Sequence, residues 1–165
     1  LLGPLTTPAG ADIQLPGVYA PALTEPLAYV LASLGSRAAL VIHGAGGTDE
    51  LNPCGLNQVS HLRDGAVRTY DLDPADLGLS RATIADLRGG APDESAQMMH
   101  DLLQGKRRDA RRDAVLLNAA GTLAAETGDF QTALAEAAAS IDSGAALAKL
   151  EALVEFSQSF APSSV

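Results

Sequence analysis

The chain has 165 residues, 47% of them apolar and 19% charged, with a formal net charge of −9. That length can bury a sizeable core in one domain, and the composition is that of an ordered globular chain, not a disordered tail. The acidic balance argues against nucleic acid or an anionic membrane as partner, and no apolar run reaches the length of a membrane span.

The first twelve residues are turn-rich, because Gly3, Pro4, Pro8 and Gly10 cannot share a regular element. The chain opens "LLGPLTTPAG" with no initiating Met and no signal peptide, and the expectation is a segment of a longer polypeptide. "IQLPGVYA" (13–20) reads as a short strand edged by Pro16 and Gly17. Residues 21–35 read as a helix with an apolar stripe of Leu27, Val30, Leu31 and Leu34, in which Pro26 is tolerable only within the first turn. "AALVIHG" (38–44) is apolar almost throughout, as in a parallel strand covered on both faces. Strand, helix and strand within about thirty residues form a βαβ unit.

Residues 57–72 alternate on either side of Asp64-Gly65, the pair that a two-residue hairpin prefers. Residues 73–92 are irregular, with one helical turn expected near 82–87. The remainder reads as helices over 93–105, 111–128, 129–144 and 144–158. The first has a capping Asp93 and an inward stripe of Ala96, Met99, Leu102 and Leu103. In the last, Leu147, Leu150, Leu153 and Val154 face inward. The fold class is α/β, a mixed sheet packed by helices. So few strands make an incomplete sheet, and a segment folding alone is expected to expose apolar surface.

The chemistry concentrates in "VIHGAGGTDELNPCG" (41–55), where a strand runs into a glycine-rich turn. Ligands of open α/β sheets bind at the carboxyl ends of parallel strands. The turn lacks the third glycine of the dinucleotide fingerprint and the Lys-Ser or Lys-Thr of a phosphate loop. It presents Asp49 and Glu50 instead. Such a pair is commonly a solvated turn or a helix start. Alternatively it holds a hard divalent cation that carries a phosphate, as Mg²⁺ does with one or two carboxylates and water.

Other candidates are weaker. His43, Cys54 and His61 match no zinc spacing, and Cys54, the only cysteine, permits no internal disulfide and points to a reducing, cytoplasmic setting. Lys106 to Arg112, "KRRDARR", reads as a solvated helix junction, with polyanion binding as the alternative. Asn118, Ser143 and Lys149 read as capping or packing-edge groups unconnected to the 44–50 loop.

Taken in order, "LLGPLTTPAGADIQLPGVY", "LASLGSRAALVIHGAGGTDELNPCG", "LDPADLGL", "LRGG", "RRDAVLLNAAG" and "IDSGAALAKLEALVEFSQ" resemble the C-terminal part of anthranilate phosphoribosyltransferases. The resemblance runs from residue 1 to about 158, and the ordered set is more specific than any piece. It implies that residues 1–165 are the C-terminal part of the α/β domain of a nucleoside phosphorylase/phosphoribosyltransferase fold. The helical domain and the first part of the α/β domain would precede them. The implied reaction moves phosphoribose from 5-phosphoribosyl 1-pyrophosphate to anthranilate in tryptophan biosynthesis, in a magnesium-dependent homodimer. It maps magnesium coordination onto Asp49 and Glu50, and the anthranilate site onto Gly3.

The sequence departs from the family wording at Thr7, Thr48 and Asn52. The family's motif for ribose and pyrophosphate, and its anthranilate-contacting arginine and asparagine, lie ahead of "LLGPL", so this segment alone is expected to be inactive. Two other readings stay open: a non-catalytic relative that binds nucleic acid or another polyanion, and a related nucleoside phosphorylase.

Overall fold

The computed structural model describes residues 5–6 and 10–160. Four strands form one sheet in the order β1-β2-β3-β4. β1 (Ile13–Gln14) lies parallel to β2 (Ala38–His43), while β3 (Asn57–Arg63) and β4 (Ala66–Leu72) continue the sheet antiparallel. The sheet is therefore mixed, and only one edge of β2 has the parallel pairing that its apolar run suggests.

Both faces of β2 are covered, which is why the strand does not alternate in polarity. Ala39 and Val41 pack with Leu27, Ala28 and Leu31 of α1 (Thr24–Ser33), and with Val18 and Leu62. Ala38, Leu40 and Ile42 pack on the opposite side with Leu51 and with Leu117, Ala120 and Ala124 of α3 (Ala110–Ala124). The alanines on both sides let helix and sheet approach closely. A third cluster of Leu102, Leu116, Ala137 and Ile141 joins α2 (Pro92–Leu103), α3 and α4 (Phe130–Asp142).

A 3-10 turn at Pro21–Leu23 leads into α1, so Pro26 does fall in the first turn, where its missing N–H breaks no helical bond. The buried stripe is Thr24, Leu27, Ala28 and Leu31. Val30 and Leu34, expected inward, are exposed at its rim, since the i, i+3, i+4, i+7 face is already filled. The β3–β4 hairpin turns at Asp64 (φ 52°) and Gly65 (φ 75°), with Arg63 opposite Ala66. The helical turn expected near 82–87 is a 3-10 helix over Ile84–Leu87.

Three other helix details differ from the sequence reading. Glu94, not Asp93, caps α2: its carboxylate accepts from the Ala91 N–H at 2.9 Å. Of the expected α2 stripe, Leu102 is buried and Leu103 partly so, but Ala96 and Met99 are exposed. In α5 (Ala145–Gln158), Leu147 and Leu150 are half-buried, whereas Leu153 is 62% exposed and Val154 44%. Together with Phe156 and Phe160, whose rings meet edge-on at 4.9 Å, they leave apolar surface uncovered. Periodicity identifies an apolar face; it does not say what covers it.

Candidate functional site

The loop after β2 is built from backbone bonds. The Gly44 N–H donates to the Thr48 carbonyl at 2.8 Å, closing a single 3-10 turn over Ala45–Gly47. Gly46 and Gly47 have φ of 74° and 86°, values that glycine adopts without steric cost. The turn delivers Asp49 and Glu50 beyond the carboxyl end of β2. Both are exposed, and neither carboxylate has an ion-pair or hydrogen-bond partner among the described residues.

Behind these side chains the loop is held by buried amides. Asn57 accepts from the N–H groups of Asn52 (3.0 Å) and Ala45 (3.3 Å), and donates to the carbonyls of Asn52 (3.0 Å) and Gly55 (3.1 Å). Asn52 donates to the Ala45 carbonyl (3.0 Å) and to Thr48 Oγ1 (2.7 Å), and its Oδ1 accepts from the Cys54 N–H at 2.9 Å. Both asparagines are buried, where unpaired amides would be costly. Thr48 and Asn52, two points of departure from the family wording, are thus bonded to each other.

Asn118 corrects the sequence reading. It lies on α3, distant in sequence, yet its Oδ1 accepts from the Leu51 N–H at 3.0 Å and its amide donates to the Leu51 carbonyl at 2.7 Å. It therefore anchors the residue that follows Glu50. The only signal in the sequence is an amide interrupting an apolar helical run, which gives no indication of a partner 67 positions away.

Gly17 supplies the other wall. It bridges to Ile42 in parallel pairing, and the Val18 N–H donates to the Ile42 carbonyl at 2.9 Å. This brings Gly17 against the Asp49 backbone so tightly that a Cβ would sit 1.7 Å from the Asp49 carbonyl oxygen. Two clefts flank the carboxylates. One of about 370 Å³ includes Thr48, Asp49, Glu50, Leu87 and Arg111, and one of about 430 Å³ includes Gly17, Tyr19, Gly47 and Asp49. Gly3 lies outside the described residues.

The donor set suits a hard cation. Among the described residues no group of three or more His, Cys, Asp or Glu is placed to hold a metal ion. Two adjacent free carboxylates leave most positions around an ion to water and substrate oxygens, which is how Mg²⁺ is commonly bound.

The histidines and Cys54 do not converge on this loop. The His43 ring pairs with the Val18 carbonyl at 2.9 Å, and the buried His61 ring with the Ala125 carbonyl at 2.6 Å. Burial pushes the Cys54 thiol up, and the Asp86 charge adds to the effect. Burial also lowers the His61 pKa below its ordinary value, partly opposed by the Ala125 hydrogen bond. The unfolded state then binds more protons as pH falls below about 6.5, so stability is full above that pH and declines beneath it. His61→Gln is expected to flatten this decline, which for one site is at most about 1.4 kcal/mol per pH unit. Urea midpoints measured between pH 5 and 8 check it, and identical pH dependence in the two proteins contradicts it.

The basic stretch is not simply a solvated junction. Arg112 is buried and donates to Asp142 at 2.8 Å. Arg107 and Arg111 face Asp109, Arg108 faces Asp142, and Lys106 faces Asp101. Every cation of the stretch has an acidic neighbour, so it presents no broad basic face.

A family model described as "Glycosyl transferase family, a/b domain" matches residues 1–147. The anthranilate phosphoribosyltransferase of Moorella thermoacetica is 53% identical over 163 residues, 98% of this chain and 48% of that relative. The crystal structure of anthranilate phosphoribosyltransferase from Thermus thermophilus superposes with TM-score 0.85 at 39% identity, over 94% of this chain and 46% of that one. The Saccharomyces cerevisiae enzyme in complex with PRPP and Mg gives 0.80 at 28% identity, over 91% and 44%. The same enzyme with 4-fluoroanthranilate gives 0.81 at 27%, over the same shares. The chain spans about half the length of the curated relatives it matches. With its mixed sheet and helices matched across nearly their whole extent, the chain belongs to the glycosyl transferase family through its α/β domain.

Proposed function

We propose that the protein carrying this chain transfers phosphoribose from 5-phosphoribosyl 1-pyrophosphate to anthranilate, giving N-(5-phosphoribosyl)anthranilate and pyrophosphate in tryptophan biosynthesis. The observation that carries the proposal is the Asp49–Glu50 pair, unpartnered and exposed at the end of β2. It sits in a fold shared with an enzyme whose structure holds PRPP and Mg. In this reading Asp49 and Glu50 hold Mg²⁺ and Gly3 lines the anthranilate site. The complete enzyme is a cytoplasmic homodimer.

In the reaction the anthranilate nitrogen bonds to the anomeric carbon, the bond from that carbon to the pyrophosphate oxygen breaks, and the amine gives up one proton. When bound, Mg²⁺ supplies charge neutralisation for the leaving pyrophosphate. The chain's own part is positional. Asn52, Asn57 and Asn118 hold the loop backbone, and the carboxylates stay free to face cation and substrate together. No side-chain nucleophile is needed.

The test uses the full-length protein. Anthranilate fluorescence is expected to fall on addition of phosphoribosyl pyrophosphate with Mg²⁺, and to hold steady with a chelator. Phosphorolysis of a nucleoside without anthranilate turnover would transfer the reading to a nucleoside phosphorylase. No turnover of either, with nucleic acid retained at physiological salt, would favour the polyanion binder.

A further inference from the structure

We propose that Thr48, locked by Asn52, is a positioning residue for the Asp49–Glu50 carboxylate pair. The inference rests on the cation-binding reading of that pair and extends it to a residue whose hydroxyl is bonded within the loop itself.

Donor and acceptor chemistry sets the direction of each bond. Thr48 Oγ1 lies 2.9 Å from the Glu50 carbonyl and 2.7 Å from Asn52 Nδ2. An amide nitrogen can only donate and a carbonyl oxygen can only accept. The single hydroxyl hydrogen therefore goes to Glu50, and the hydroxyl lone pair receives Asn52. The second Asn52 hydrogen goes to the Ala45 carbonyl at 3.0 Å. Asn52 also approaches the Glu50 carbonyl, but at 3.4 Å, beyond the ordinary range. Thr48 is accordingly the principal donor to the Glu50 carbonyl.

The rest of the loop explains why this one bond matters. Asn118 grips Leu51 through both its N–H and its carbonyl. The Asp49 carbonyl is set against Gly17. The Glu50 carbonyl, between those two fixed points, accepts from the half-buried Thr48 hydroxyl. With it held, the backbone under both carboxylates is set before a cation arrives. Only side-chain freedom then remains to be lost on binding. Without the hydroxyl, the Glu50 peptide can turn, and one Asn52 hydrogen is left with only the longer 3.4 Å approach to the Glu50 carbonyl. Groups that orient metal-binding carboxylates commonly change affinity more than their distance from the ion suggests.

The full-length protein is titrated with Mn²⁺, free Mn²⁺ is read from its electron paramagnetic resonance signal, and folding is checked by circular dichroism. Thr48→Val, which keeps shape and removes the hydroxyl, is expected to weaken Mn²⁺ binding by about 10-fold. Thr48→Ser, which keeps the hydroxyl, is expected to bind as wild type does, and Asp49→Asn with Glu50→Gln to lose binding. Should Thr48→Val fail to fold, Thr48→Ala set against Thr48→Ser makes the same comparison. Wild-type affinity in Thr48→Val, while the carboxylate variant loses binding, overturns the positioning role alone. Equal weakening in the Val and Ser variants overturns it too, by assigning the effect to packing. Wild type that binds no Mn²⁺, or a carboxylate variant that binds it as well as wild type does, overturns the cation reading itself.

Discussion

Full-length protein carrying Asp49→Asn together with Glu50→Gln is expected to lose magnesium-dependent phosphoribosyl transfer almost completely. Both substitutions keep side-chain size and remove charge. Since neither carboxylate supports the fold through an ion pair or hydrogen bond among the described residues, the protein should remain folded. A cation that stabilises a leaving group contributes several kcal/mol to the transition state, and about 4 kcal/mol corresponds to roughly a thousandfold in rate. Initial rates across a magnesium titration check this. If rates survive within a few-fold, the pair is a solvated turn and the reading of the loop is wrong, even where the enzyme is right.

Gly17→Ala is expected to be the most damaging small substitution in the site. Gly17 is not in the left-handed region, so the obstacle is space: the new methyl would meet the Asp49 carbonyl oxygen at 1.7 Å. That oxygen belongs to backbone, which cannot rotate away as a side-chain tip can. Either the 16–18 segment leaves its pairing with β2 or the carboxylate loop lifts off. Forced overpacking costs about 1–3 kcal/mol or more, and this contact belongs at the upper end. In a full-length protein about twice as long as this chain, as the relatives are, that lowers the thermal midpoint by roughly 3–6 °C. Calorimetry of the full-length variant reads the midpoint, and metal titration of the same sample reads the loop. An unchanged midpoint with unchanged metal affinity would mean that Gly17 and Asp49 are not in contact.

The local sequence proved informative where one element carries its own chemistry. Asp64-Gly65 marks the hairpin because both positions take positive φ there. The unbroken apolar run of β2 reports cover on two faces, and the structure supplies it from α1 and α3. The pairing partner of that run is not written in it, because parallel and antiparallel neighbours bury the same side chains. Helical stripes were legible as faces but misjudged in detail at Val30, Met99 and Leu153. A period of 3.6 gives direction around an axis and does not fix how wide the covering element is.

The candidate site divides in the same way. The Asp49–Glu50 pair after a glycine-rich turn could be picked out by residue type alone, because two carboxylates at the end of an apolar strand are chemically conspicuous. The parts that hold the pair in place could not. Gly17 matters for what it lacks, and only the approach of the Asp49 backbone reveals the need. Asn118 reaches the loop from a helix 67 positions later, and Thr48 looks like any surface threonine until Asn52 is seen donating to it at 2.7 Å. Arg112 reads as part of a charged run, and burial beside Asp142 makes it structural. The sequence by itself determined the α/β class, the β3–β4 hairpin and the carboxylate pair, because these depend on residues close together along the chain. The tertiary structure alone decided what steadies that pair, because hydrogen bonds and steric contacts between distant segments leave no pattern in either segment.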